Sequence, residues 1–170
     1  MLKIKEKIPE LDAEYLQQIR FDEDRYSLYV FYRGFHCPIC KKYIENLNEK
    51  ADELKALGVS NITAISGDET LTAVKTRDNW DLSKLQLAYN LSEQSMRDWG
   101  LYISNKIKDN EPEFFNEPAL FLINQADETV EYVNVGSMPF ARPHIDDLIE
   151  GIKMMKENDY PARGNRYPKK

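Results

Sequence analysis

Both cysteines of the chain stand three residues apart, as Cys37-Pro38-Ile39-Cys40, between two segments of opposite character. Before them, Ser27 to Tyr32 is an almost unbroken apolar run rich in β-branched and aromatic side chains, the pattern of a strand buried on both faces. After Arg33-Gly34-Phe35-His36 and the cysteine pair, the apolar positions Cys40, Tyr43, Ile44, Leu47, Ala51 and Leu54 keep helical spacing up to Gly58. Pro38 suits the first helical turn, where no backbone N–H is needed, so Cys37 falls at or beside the N-cap. Free N–H groups and the macrodipole favour negative charge there, and Cys37 is expected to ionise more readily than an ordinary thiol. Cys40 lies one turn further on the same face. The two sulfurs are therefore expected to cycle between dithiol and disulfide.

A C-x-x-C bridge closes too small a loop to staple a fold, so the pair is expected to be catalytic or metal-binding. The chain of 170 residues is expected to form a single domain over residues 1–159, of which 1–25 are an N-terminal extension, followed by a basic tail at 160–170. Charged residues make up 31% and apolar ones 42%, the balance of a globular protein with a real core. The net charge is −6, while the tail carries Arg163, Arg166, Lys169 and Lys170 and no acid, so the acidity is concentrated in the body. An acidic body argues against nucleic acid as the main partner. No apolar run reaches the roughly 20 residues needed to span a bilayer, and the first residues lack the apolar stretch of a secretory signal, so no membrane association is expected and the location read is cytoplasmic.

Taken in order, residues 2–8 are expected to form a short strand or an arm. Leu11, Tyr15 and Ile19 suggest an amphipathic helix, followed by the acidic patch Asp22-Glu23-Asp24. Helix 38–57 then leads to a second buried strand at Val59 to Ser66, the βαβ pattern of a parallel pair. A helix is expected from Glu69 to Arg77 with Asp68 as its cap, then a short strand through Leu85, Leu87 and Tyr89, and a helix opened by Ser92 and closed by Gly100. Residues 101–117 are mostly polar and read as a lid or partner-contact loop bearing Phe114 and Phe115. Pro118 to Ile123 and Thr129 to Val135 are expected to pair as a hairpin, and a last helix begins near Pro143 with Asp146 and Asp147 in its first turn. Trp80, Trp99 and the tyrosines read as packing residues.

This order of strand, C-x-x-C at a helix start, strand, helix, hairpin and final helix is similar to the thioredoxin fold: an α/β domain with a central mixed sheet flanked by helices. From about Tyr26 to Glu157 the chain resembles the peroxiredoxin branch, the alkyl hydroperoxide reductase and thiol-specific antioxidant family. The resemblance is carried by FYRGFHCPIC and by WDLSKLQLAYNLSEQSMRDWGLYIS, in which an aromatic-Gly pair ends a helix. It implies that Cys37 attacks a hydroperoxide, or alternatively a disulfide, and that Cys40 resolves the product. It implies further that Pro118 occupies the place of the cis-proline that thioredoxin-like proteins set opposite the redox pair. The family pattern P-x-x-x-T-x-x-C is absent: Val30 stands where Pro would be and Gly34 where Thr would bind the peroxide. Pro118 also lies near where many relatives carry an arginine. Arg33, four residues before Cys37, and Arg142, in the loop entering the last helix, are then the candidates to lower a thiol pKa and polarise an O–O bond.

The implied function is thiol-dependent peroxidase chemistry without a bound cofactor, with thioredoxin or glutathione as reductant and a homodimer as candidate assembly. A disulfide oxidoreductase acting on protein disulfides is the alternative enzyme. A redox-responsive binding protein working through Phe114, Phe115 or the basic tail is the non-catalytic one. His36 is read as an exposed rim residue, and a zinc site built from Cys37, Cys40, His36 and His144 as a further alternative.

Overall fold

The computed structural model describes residues 1–18 and 25–167. Ile19, the acidic patch at 22–24 and the last residues, 168–170, lie outside the described residues. Three apolar runs make the centre of the molecule: β2 (Tyr26–Phe31), β3 (Val59–Ile65) and β7 (Ala119–Asn124). β2 pairs in parallel with β3 and antiparallel with β7, so its backbone is saturated on both sides. β4 (Gln86–Tyr89) runs parallel to β3, and β8 (Thr129–Val135) returns antiparallel to β7.

The edge beyond β4 is closed by β1 (Glu14–Gln17), giving the order β1-β4-β3-β2-β7-β8. The spacing of Leu11, Tyr15 and Ile19 predicts a helix here, and the structure differs. The open edge of β4 decides otherwise, because it offers unpaired backbone groups that an extended segment satisfies. The carboxylate of Glu14 accepts from Tyr89 Oη (3.0 Å) and Asn90 Nδ2 (2.9 Å), and Gln17 Nε2 donates to the carbonyls of Leu82 (2.9 Å) and Leu85 (2.7 Å). These tertiary contacts outweigh a weak helical period.

Alternate side chains of β2 feed two cores. Leu28 and Val30 join Ile44, Leu47 and Leu54 from α1 (Pro38–Glu49) and α2 (Ala51–Ala56), together with Ile145, Leu148 and Ile152 from α5 (Ile145–Glu157). Only Lys50 (φ −88°, ψ 0°) interrupts what the sequence presents as one helix. Phe31 points the other way, into a cluster with Ile65, Met96, Trp99 and Phe121. Trp99, at the end of α4 (Glu93–Asp98), packs its ring 5.3 Å from Phe31 and edge-on at 5.1 Å from Phe121. Each such fully buried large side chain contributes about 1.5–3 kcal/mol, and together they fix the strand that ends at the cysteine loop. Ser92 caps α4 as expected, its hydroxyl accepting from Ser95 N at 3.1 Å.

The polar stretch 101–117 is an ordered two-stranded hairpin, β5 (Ile103–Asn105) with β6 (Phe114–Asn116). Glu111 ties its tip, accepting from Ile107 N (2.8 Å) and Lys108 N (3.1 Å). Phe115 is buried while Phe114 stays partly exposed, so the two rings divide between packing and surface. At the N-terminus, Lys5 and Ile8 donate to the carbonyls of Val130 and Glu128, making an arm along β8. The tail docks on that arm, with Ala162 buried and Tyr167 Oη accepting from Ile4 N at 2.8 Å. Among the described residues no helix is long and apolar enough to cross a membrane.

Candidate active site

The parallel strands end on the same side of the sheet, and β2 delivers the chain there through Tyr32, Arg33 and Gly34. Gly34 adopts φ +128°, and a Cβ on it would lie 2.5 Å from Asp68 Oδ1, so only glycine fits this approach. Asp68 uses that space to hold the loop: its Oδ2 accepts from Phe35 N at 2.8 Å. This corrects the expectation that Asp68 caps the next helix, since the N-cap of α3 (Thr70–Asn79) is Glu69, which makes no side-chain capping bond. The carboxyl turns instead toward the cysteine loop. Burial pushes it up to about 6, against the lowering effect of the Phe35 hydrogen bond.

With the loop fixed, Cys37 N donates to Gly34 O at 3.1 Å and Cys37 becomes the N-cap of α1. Its sulfur accepts from Cys40 N at 3.2 Å, Pro38 opens the first turn, and the two sulfurs form a disulfide with Cα atoms 5.2 Å apart. Both residues are buried, but unequally in kind. Cys37 lines a cavity of about 250 Å³ with Arg33, His36, Ile39, Lys108 and Pro139, whereas Cys40 is fully sealed.

The two candidate arginines take different places. Arg33 lies 3.4 Å from Glu117 and 3.9 Å from Glu111, with its guanidinium over the Phe115 ring at 4.7 Å. It borders the cavity at Cys37, but its charge is answered by carboxylates. Arg142 donates from Nη2 to Cys40 Sγ at 2.9 Å and lies over the ring of Tyr43 at 4.8 Å. Tyr43 Oη donates to Pro143 O at 2.9 Å and so clamps the loop that carries Arg142. Arg142 therefore reaches the second sulfur, not the first. Tyr43 reads in the sequence only as an apolar position of α1, and no local signal marks its second task.

Pro118 is buried one residue beyond the Phe31–Ala119 pair, beside the exit of β2. Its peptide bond is trans, as there is no cis bond among the described residues, which corrects the cis-proline expectation. Backbone hydrogen bonds hold the chain on either side of it between β6 and β7: Glu117 N donates to Tyr102 O at 2.8 Å and Gly136 N to Pro118 O at 2.9 Å. Asn116 Nδ2, which the sequence did not single out, donates to Tyr32 O at 3.1 Å and ties the hairpin to the cysteine loop.

His36 is half-buried against Phe115, ring centroids 4.8 Å apart, and not the exposed rim residue expected. Burial, followed by the neighbouring Arg33 charge, holds its imidazole below the ordinary histidine range. His144 is exposed at the start of α5. Among the described residues no group of three or more His, Cys, Asp or Glu could hold a metal ion.

A sequence profile described as the AhpC/TSA family matches residues 4–133. The chain belongs to the AhpC/TSA family. Solved structures agree with this AhpC/TSA chain in architecture. A mutant of peroxiredoxin 6 from Arenicola marina is 11% identical with a TM-score of 0.76, over 99% of this chain and 81% of the other. Reduced Prx3 from Vibrio vulnificus in complex with hydrogen peroxide is 13% identical with a TM-score of 0.75, over 92% and 99%. A peroxiredoxin-like protein from Aquifex aeolicus is 18% identical with a TM-score of 0.69, over 91% and 88%. At these identities the likeness establishes the fold, a mixed sheet flanked by helices. Among curated protein sequences none matches the chain. Within this family, a disulfide at the start of α1 makes the AhpC/TSA protein a thiol-dependent oxidoreductase.

Proposed function

We propose that the protein reduces hydroperoxides through a Cys37/Cys40 dithiol–disulfide cycle. The observation that carries this reading is the pairing of one sulfur on a cavity with a second, sealed sulfur in bonding reach of it. The Cys37 thiolate attacks the peroxide, the O–O bond breaks, and the alkoxide leaves as alcohol after taking a proton. Cys37 is left as a sulfenic acid. Cys40 then attacks the Cys37 sulfur, expels the oxygen as water and forms the disulfide. A dithiol such as thioredoxin, or two molecules of glutathione, returns the pair to thiols, and no bound cofactor enters the cycle. Residues 1–159 act as one unit in this scheme, in the cytoplasm, with a homodimer as the assembly and the tail at 160–170 outside the chemistry.

On this reading Arg33, its charge answered by Glu111 and Glu117, forms part of the cavity border, and Pro118 shapes the wall beside the exit of β2. Stopped-flow measurement of Cys37 oxidation by hydrogen peroxide tests the cycle.

A second reading, exchange with protein disulfides, is favoured by one observation. Cys37 Sγ accepts from the backbone N–H of Cys40, and among the described residues that line its cavity none carries a hydroxyl to bind a peroxide. Reduction of insulin disulfides at a rate above that of free dithiol would favour that reading over the first.

A further inference from the structure

Arg142 is a largely buried cation with no carboxylate in ion-pair distance among the described residues. Its Nη2 donates to Cys40 Sγ at 2.9 Å, while its Nε and Nη1 are buried without a hydrogen-bond partner. Burial brings the guanidinium down to about 10, so it stays charged at neutral pH. An unanswered buried charge costs several kcal/mol, and a fold that keeps one normally supplies the counter-charge. Beyond ion-pair distance Glu117 favours the charge and Arg33 opposes it, and Glu117 is already paired with Arg33, so the groups in contact with Arg142 offer a single source. Tyr43 is pushed up to about 12 by burial and its hydroxyl is committed to Pro143 O, so it remains neutral. Cys40 is the other contact. Its sulfur gains a negative charge only when the disulfide opens.

We propose that Arg142 is the built-in counter-ion of the Cys40 thiolate, which makes Cys40 the sulfur that leaves when the disulfide opens and biases the pair toward its reduced form. The proposal rests on the Cys37/Cys40 cycle described above. A thiolate of an external dithiol reaches Cys37 through the cavity and bonds to its sulfur. The Cys37–Cys40 bond breaks and its electron pair goes to Cys40 Sγ, against Arg142. The second thiolate of the dithiol then attacks the first, expelling Cys37 as thiolate. The dithiol becomes a disulfide, its two protons pass to solvent or to the freed sulfurs, and the cysteine pair gains two electrons. In the oxidising direction the same guanidinium keeps Cys40 ionised for its attack on the Cys37 sulfenic acid. A leaving thiol that ionises easily departs faster, and a stabilised reduced form makes the disulfide more oxidising.

The test equilibrates the full-length chain and its Arg142→Met and Arg142→Lys variants with glutathione redox buffers, reading thiols by alkylation and mass spectrometry. Arg142→Met is expected to shift the equilibrium toward the disulfide about 10- to 100-fold, about 30 to 60 mV, and Arg142→Lys to restore most of it. In a Cys37→Ser background with Arg142 intact, the pH midpoint of Cys40 thiolate absorbance near 240 nm, blanked with Cys37→Ser/Cys40→Ser, is expected below that of free cysteine. A midpoint at or above free cysteine overturns the proposal, even if Arg142→Met fails to fold. An Arg142→Met equilibrium within twofold of the parent also overturns it, and leaves the dithiol cycle standing. A parent pair that never equilibrates with the buffer removes the cycle itself, and the Cys40 midpoint still decides the counter-ion.

Discussion

Two arginines flank the cysteine pair, and the contrast between them shows how the site divides its work. Arg33 stands on the cavity side with Glu111, Glu117 and the Phe115 ring around it. Its charge is largely neutralised, and it ties the β5–β6 hairpin to the loop before Cys37. Arg142 stands on the sealed side with a sulfur, an aromatic face and two unpartnered nitrogens. A neutralised cation builds structure, whereas an unanswered one biases the charge state of what it touches. The loop holding Cys37 is thus fixed by carboxylates, and the environment of Cys40 is set by a spare positive charge.

The largest effect expected separates the sulfurs themselves. Cys37→Ser should lower peroxide consumption by about 10³-fold or more, whereas Cys40→Ser should consume about one equivalent per chain and then stop, which quenched-flow peroxide assays would distinguish. Equal loss in both variants would erase the division between an attacking and a resolving sulfur.

Next comes Asp68, the carboxylate that holds the Cys37 loop. Its carboxyl is raised from 3.8 to about 6, so between those values the folded chain keeps a proton that the unfolded chain has released. Its contribution to stability is present below pH 3.8 and is lost as pH rises through about 6, by roughly 3 kcal/mol. Urea titrations of Asp68→Asn against the parent should show this fall between about pH 4 and pH 6 only in the parent. A parallel pH dependence in both would show that Asp68 titrates normally.

Gly34→Ala should cost about 2 kcal/mol, from the left-handed φ and the clash with Asp68, and should be partly relieved in the Asp68→Ala background. Denaturant midpoints of the double-mutant cycle measure that coupling. The smallest change belongs to Arg33→Met, about 1 kcal/mol of stability by the same measurement, because its ion pairs, though largely buried, are 3.4 and 3.9 Å long and fall outside good hydrogen-bond geometry. Its effect on the disulfide equilibrium should be smaller than that of Arg142→Met. The reverse order would exchange the two arginines' roles.

How far the sequence discloses this arrangement depends on the range of each interaction. The strand before the cysteines, the helix N-cap at Cys37 and the β7–β8 hairpin are written in local periodicity and turn chemistry, and each stands within a residue or two of its expected place. β1 carries a helical period because nothing within its own residues reports the open edge of β4. The 101–117 stretch reads as a loop because its order comes from Glu111 folding back on the chain and from Asn116 reaching Tyr32, 84 positions away. Arg142 could be named from the sequence as a candidate charge. Its target could not, because Cys40 lies 102 positions earlier and the contact depends on Tyr43 clamping Pro143. Asp68 read as a cap since Asp before a helix usually is one; the void left by Gly34 drew it to the other side.

The most direct test of the central claim is the second-order rate constant for oxidation of the reduced protein by hydrogen peroxide, followed by stopped flow and by mass spectrometry of the product. The account predicts a rate orders of magnitude above that of free cysteine, ending in an intramolecular Cys37–Cys40 disulfide. A rate no faster than free cysteine, or a product oxidised at Cys40 alone, would contradict it.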